Sequence, residues 1–177
     1  MDAPREPRWL DQEEQRTWLA FAGTLSRLPS ALDAQLQRDA GMSHFEYLVM
    51  AGLSMAAGRT LRMSDVAEFT SSSLSRLSKV VNRLERRGWV RRSPDPTDGR
   101  YTLAALTDDG WDKVLATAPG HVAEVRRLVF DPLTKAQQRH LRQISGRIMH
   151  TVDPAGCAPE ERLHSLLPDS PSAQDAN

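Results

Sequence analysis

Apolar residues recur at steps of three or four from Trp18 through Phe21, Leu25, Leu28 and Leu32 to Leu36, the spacing of one helical face. Pro29 falls inside this run and leaves two readings open: a helix kinked there, or a second helix over Ser30–Ala40 with proline near its first turn. Gly41 ends the element. Ser43, followed three residues later by Glu46, forms a capping box. It opens a mostly buried helix through Tyr47, Leu48, Met50, Ala51, Leu53 and Met55 that stops near Gly58. A short helix over Arg62–Phe69 follows, with Ser64 as its cap and Met63, Val66 and Ala67 turned inward.

After Ser71, Ser72 and Ser73, the pattern predicts a helix over Ser72–Arg87. Leu74, Leu77, Val81 and Leu84 form one stripe, and Ser72, Ser75, Arg76, Lys79, Arg83 and Arg86 lie outside it. Gly88 supplies a left-handed stop. Two short helices joined by a tight polar turn, the second with a basic outer face, predict a helix-turn-helix. Trp89–Ser93 and Tyr101–Leu106 read as strands of a β-hairpin whose turn, Pro94–Arg100, is dense in turn formers. Thr107 or Asp108 caps the next helix, which runs from Asp109 to Phe130 with a bend at Pro119 and Val122, Val125 and Val129 inward. Thr134 caps a last helix with a stripe of Leu141, Ile144 and Ile148. No internal repeat is present.

These elements predict a mainly α (α+β) fold: a winged helix-turn-helix with a two-stranded β-wing and long N- and C-terminal helices. Residues 8–40 are expected to form N-terminal dimerisation helices, 43–107 the DNA-binding domain, 108–150 the C-terminal dimerisation helices and 151–177 a weakly ordered acidic tail. In that tail Leu163, Leu166 and Leu167 can dock on a partner surface.

At 177 residues the chain suits one well-cored domain. No apolar run approaches the roughly 18 residues of a membrane span, and Met1–Pro7 has no signal-peptide core, so a soluble, cytoplasmic protein without a membrane partner is expected. The single cysteine, Cys157, forms no internal disulfide and builds no thiolate metal site. His44, His121, His140, His150 and His164 lack metal-ligand spacing, and no nucleophile motif or phosphate loop accompanies them. No metal, cofactor or enzyme activity is predicted.

Overall charge is balanced, 23 basic against 23 acidic residues, but its distribution is not. From Arg59 to Arg100 ten basic residues face five acidic ones, a net +5 that leaves −5 elsewhere, a local electrostatic footprint in a neutral protein. A solvated helix face has the same look. DNA reading needs side chains at the start of a helix that reach base edges, with cations that hold phosphates. Ser71, Ser72 and Ser73 can serve phosphates, one of them capping the helix. Ser75 and Arg76 are the candidates for base contact, with Lys79 and Arg83 behind them on phosphate. A winged helix also serves as a protein-protein interaction module without DNA binding; the basic outer stripe favours DNA.

The order of elements, the strings Ser72–Arg76 and Val81–Val90, the run Asp95-Pro96-Thr97-Asp98-Gly99-Arg100 and the run Leu106–Gly110 resemble the multiple antibiotic resistance regulator (MarR) family of bacterial transcription factors, over roughly Trp9–Met149. The resemblance implies a triangular homodimer whose first and last helices interlock, and a transcriptional regulator, acting as a repressor, that grips an inverted-repeat operator in double-stranded DNA. It also implies that Arg100 reaches the minor groove with Asp98 as its orienting partner. Thr97 stands where the family often has a second arginine, which weakens the expected wing contact. Many relatives release DNA when a small aromatic or anionic molecule enters the crevice between dimer region and winged domain. The residues that can line such a crevice here are Phe21, His44, Tyr47 and Trp111, each of which can equally be core. Relatives that sense oxidants use a cysteine in the first helices; this chain has none there, and Cys157 reads as an incidental thiol.

Overall fold

The computed structural model describes residues 7–154. Helix α1, Gln12–Ala40, starts at a capping box in which Asp11 accepts the Glu14 amide at 2.8 Å and the Glu14 carboxylate accepts the Asp11 amide at 3.0 Å. Pro29 neither splits nor ends it: one helix of 29 residues runs through. It closes where Gly41 turns left-handed (φ 64°), and the amides of Gly41 and Met42 reach back to the Gln37 and Leu36 carbonyls.

Helix α2, His44–Met55, is the hub of the domain, packing against α1, against the helices over 63–69, 74–86 and 108–125, and against the strands over 60–62 and 102–106. Its predicted capping box is present, with the Ser43 amide donating to Glu46 at 2.8 Å and the Glu46 amide to the Ser43 hydroxyl at 3.1 Å. Val49, Met50 and Leu53 are fully buried. A 3₁₀ turn at Ala57–Arg59 leads into strand β1, Thr60–Arg62, which the hydrophobic pattern did not predict. Three residues are too few to show a two-residue period. Arg62 is therefore strand and not the start of a helix. Helix α3 is Met63–Phe69, and Ser64 lies inside it, its hydroxyl bonded to Asp65, so the predicted cap is absent: Arg62 holds the cap position without a side-chain bond.

Helix α4, Leu74–Arg86, begins two residues later than expected because Ser73 is its cap, accepting the Arg76 amide at 3.3 Å. Leu77, Val80, Val81 and Leu84 are its buried line; Leu74, predicted to join them, is 55% exposed because it sits at the helix mouth beyond the reach of α3. Gly88 takes φ 75°, as predicted. Strands β2 (Val90–Pro94) and β3 (Thr102–Leu106) form the hairpin, and β1 pairs antiparallel with β3 from Thr60–Ala105 to Arg62–Leu103. The sheet is thus three-stranded, ordered β1-β3-β2, with the predicted two-stranded wing as its larger part.

Thr107, not Asp108, caps helix α5, Asp108–Val125. The helix runs without a break through Pro119 and Gly120, and its irregular turn comes later, as a π turn at Arg126–Phe130. Gly110, Val114, Thr117 and His121 form its inward line, so Val122 is rotated off the core and 53% exposed, contrary to expectation. Helix α6, Lys135–Val152, starts at the capping box Thr134/Gln137 and runs two residues into the expected tail. Cys157 and the leucines of that tail lie outside the described residues. Among the described residues no helix is long and apolar enough to cross a membrane.

Candidate nucleic-acid interface

The turn between α3 and α4 is fastened by its own hydroxyls and amides. Thr70 donates to the Val66 carbonyl at 2.7 Å and shares a 3.0 Å hydrogen bond with Ser72; the Ser72 amide returns to the Ala67 carbonyl at 2.8 Å. Ser71 is exposed at φ 48°, a left-handed conformation that a side chain tolerates at a cost of about 1–2 kcal/mol. The three serines thus differ: Ser73 caps, Ser72 ties the turn, Ser71 makes its corner.

At about 100° per residue, Ser75, Lys79, Asn82 and Arg86 stand opposite the buried line of α4 and face solvent. Arg76 and Arg83 occupy the flank toward α2. The Arg76 guanidinium lies over the Phe45 ring at 4.5 Å. Arg83 donates to Glu46 at 3.1 Å, and Arg87 donates to the Gly41 carbonyl at 3.0 Å. Burial pushes the Glu46 carboxyl up, but the Ser43 amide, Arg83, the Ser43 hydroxyl and the charge of Arg87 together outweigh it and leave its pKa lowered. On the opposite flank Arg92 of β2 bonds Glu85, whose pKa is lowered chiefly by that side-chain bond, and Arg92 also donates to Asn82.

In the wing, Arg100 clasps Asp98 through Nε at 3.0 Å and Nη2 at 2.6 Å, while its side chain remains 84% exposed at the tip. The expected pairing is therefore present, and Arg100 draws the Asp98 carboxyl below its usual range. Asp95 is buried at the base of the turn and accepts the Thr97 hydroxyl at 2.6 Å and the Thr97 amide at 2.8 Å. Arg62 reaches it from β1 at 2.9 Å, lying over the Tyr101 ring. Those bonds, the Thr97 hydroxyl first, hold the Asp95 carboxyl at about 2. Sequence reasoning missed Arg62, because its partner lies 33 residues away, and Asn82, because a lone asparagine on a helix carries no signal of its own.

Of the four crevice candidates, two come together. His44 and Tyr47 surround His121 of α5, with ring centroids 5.6 and 4.6 Å from it, and His121 Nδ1 lies 3.1 Å from the side-chain Oε1 of Gln35 on α1. Phe21 instead stacks near Trp18 at 6.4 Å, and Trp111 packs on the core beneath the Arg59 guanidinium. His121 was legible only as one of several scattered histidines.

Residues 40–100 match the profile described as the MarR family. The fold superposes on Sco3205, a MarR family transcriptional regulator from Streptomyces coelicolor solved in complex with DNA, with TM-score 0.82 and 44% identity, covering 85% of this chain and 94% of that one. The regulator PecS of Dickeya dadantii is 30% identical over 130 residues, 71% of this chain and 78% of its own. The chain belongs to the MarR family. A shorter match, to the uncharacterized HTH-type regulator YdcH of Bacillus subtilis, is 31% identical and spans 54% of that protein's length. MarR proteins are winged helix-turn-helix transcriptional regulators, not enzymes, and α3, α4 and the β2–β3 hairpin are the corresponding parts here.

Proposed function

We propose that this MarR protein is a homodimeric repressor of an inverted-repeat operator. In this reading residues 43–107 read the DNA, residues 8–40 and 108–150 dimerise, and a small aromatic or anionic effector releases the complex. The observation that carries it is the solvent face at the start of α4, where Ser75 and Arg76 stand behind the Ser71–Ser73 turn, with Arg100 at the tip of the adjoining wing. Ser75 and Arg76 contact base edges in the major groove, Arg100 enters the minor groove with Asp98 holding its orientation, and Ser71, Ser72, Ser73, Lys79 and Arg83 engage phosphates. Two such surfaces about a two-fold axis meet half-sites about one helical turn apart. Sco3205, bound to DNA in its crystal, supports this arrangement by likeness. The effector would lodge near His44 and Tyr47, the two crevice candidates that share a neighbour.

Selecting bound fragments from the genomic neighbourhood and footprinting them yields the operator and its half-site spacing. On that operator, R76A and R100A are each expected to weaken binding by about 1–3 kcal/mol. With two cations on phosphates per subunit, Lys79 and Arg83, and so four per dimer, the logarithm of affinity falls against the logarithm of salt with a slope of roughly −4. Undiminished binding in both variants would remove α4 and the wing as the reading surface.

A further inference from the structure

We infer that Phe45, on the first turn of α2, is a specificity-determining positioning residue: its ring fixes the plane of the Arg76 guanidinium while leaving every donor of that group open to a base edge. The inference rests on the reading of Arg76 as a base contact.

Arginine reads a base with two parallel N–H donors, so the orientation of its plane decides whether both reach their acceptors. An ion pair can orient a guanidinium, but it occupies the donors. Stacking on a ring orients it and occupies none. Among the described residues Arg59, Arg62 and Arg87 also lie over rings, yet each donates as well, to Asp108, Asp95 and the Gly41 carbonyl. Arg83, Arg92 and Arg100 are held by Glu46, Glu85 and Asp98. Arg76 differs: its guanidinium lies over the Phe45 ring, 4.5 Å from the centroid, and has no hydrogen bond or ion pair within the described residues.

The ring itself is firmly placed. Phe45 is half-buried against the main core. Its two neighbours in sequence are anchored in different directions, the His44 amide on Asp33 of α1 at 2.8 Å and the Glu46 carboxylate on Ser43 and on Arg83 of α4. The platform under Arg76 is thus fixed to both the helix frame and the recognition helix. An arginine ordered before DNA arrives avoids an ordering loss on binding that corresponds to roughly 2- to 10-fold in affinity. That gain belongs to the operator, where Arg76 has a base to meet, and not to random DNA held through phosphates.

The test compares F45L, F45Y, R76A and the F45L/R76A double variant, each as the full chain. Affinities are measured by fluorescence anisotropy at one salt concentration for the footprinted operator and for an unrelated duplex of equal length. F45L is expected to weaken operator binding roughly 2- to 10-fold and to leave the unrelated duplex unaffected. F45Y, which keeps the ring, retains wild-type discrimination, and F45L adds no loss in the R76A background. A merely structural role for Phe45 would lower both affinities together or persist in that background, and either result overturns the inference. Should R76A weaken operator binding while F45L does not, the inference falls and the base-contact reading stands; if R76A itself has no effect, both fall.

Discussion

At the scale of single residues, two positions carry more than their side chains suggest. A Cβ built on Gly110 would lie 2.0 Å from the Trp89 carbonyl oxygen, backbone that has no rotamer with which to yield. The contact is part of a junction in which the Thr107 hydroxyl donates to the Gly88 carbonyl at 2.6 Å and its amide to Trp89 at 3.0 Å. One glycine thus lets α5 start hard against the end of α4 and the start of the wing. G110A is expected to lower stability by about 1–3 kcal/mol, as overpacking does, visible as a lower urea midpoint at unchanged m-value; an unmoved midpoint would show that the junction gives way freely. Thr97 is the second position. Where relatives often carry an arginine, its hydroxyl and amide close the turn on buried Asp95, and Arg62 of β1 braces that carboxylate from the other side.

At the scale of elements, α1, α2 and α5 meet at the histidine pair. His44 is lowered by burial, with Asp33 opposing, and His121 is lowered by burial and then by the charge of His44. The other groups facing them are Gln35 and Tyr47, which bring no charge at neutral pH. Protonation of both imidazoles is therefore disfavoured in the folded protein relative to the unfolded chain, which takes up protons near pH 6.5. Stability is full above that pH and is lost as pH falls toward the depressed folded values. The denaturation midpoint should drop between pH 7 and 5.5 in the wild type and drop less in H121N, where only the contribution of His44 is left; equal drops would remove the pair as the cause. Such a pairing across 77 residues was invisible in the sequence, as was β1, whose three residues are held by their ladder to β3 and not by any local preference. What was legible was local: the capping box at Ser43/Glu46, the Thr134 cap, the helix end at Gly41 and the left-handed stop at Gly88, each decided by chemistry within a few residues. Leu74 and Val122 were misread because helical spacing names a stripe but cannot say where the neighbouring element stops covering it.

At the scale of the whole molecule, the winged domain is closed and the two ends are not. Its core runs from Leu36 to Val114 with most side chains below a tenth exposed, whereas α6 has no buried residue. On α1 Trp18, Leu19 and Leu25 are each more than half exposed, and on α6 Leu141, Ile144, Ile148 and Met149 stand between 37% and 54% exposed. Exposed apolar residues on two long helices are what a subunit interface requires. The homodimer proposed above would cover them, because the same two helices on each subunit can pack on one another about a two-fold axis. In that dimer the same contact would set the distance between the two α4 helices, and hence the half-site spacing. Ile144, in the middle of the α6 stripe and clear of the winged domain, is the position where a charge separates these roles. I144D should run as a monomer in sedimentation, keep the helical signal of its winged domain, and lose operator binding far more than binding to a single half-site, since only the linkage between the two reading heads is cut. A variant that remained dimeric, or that lost half-site and operator binding alike, would place the subunit contact elsewhere than on α6.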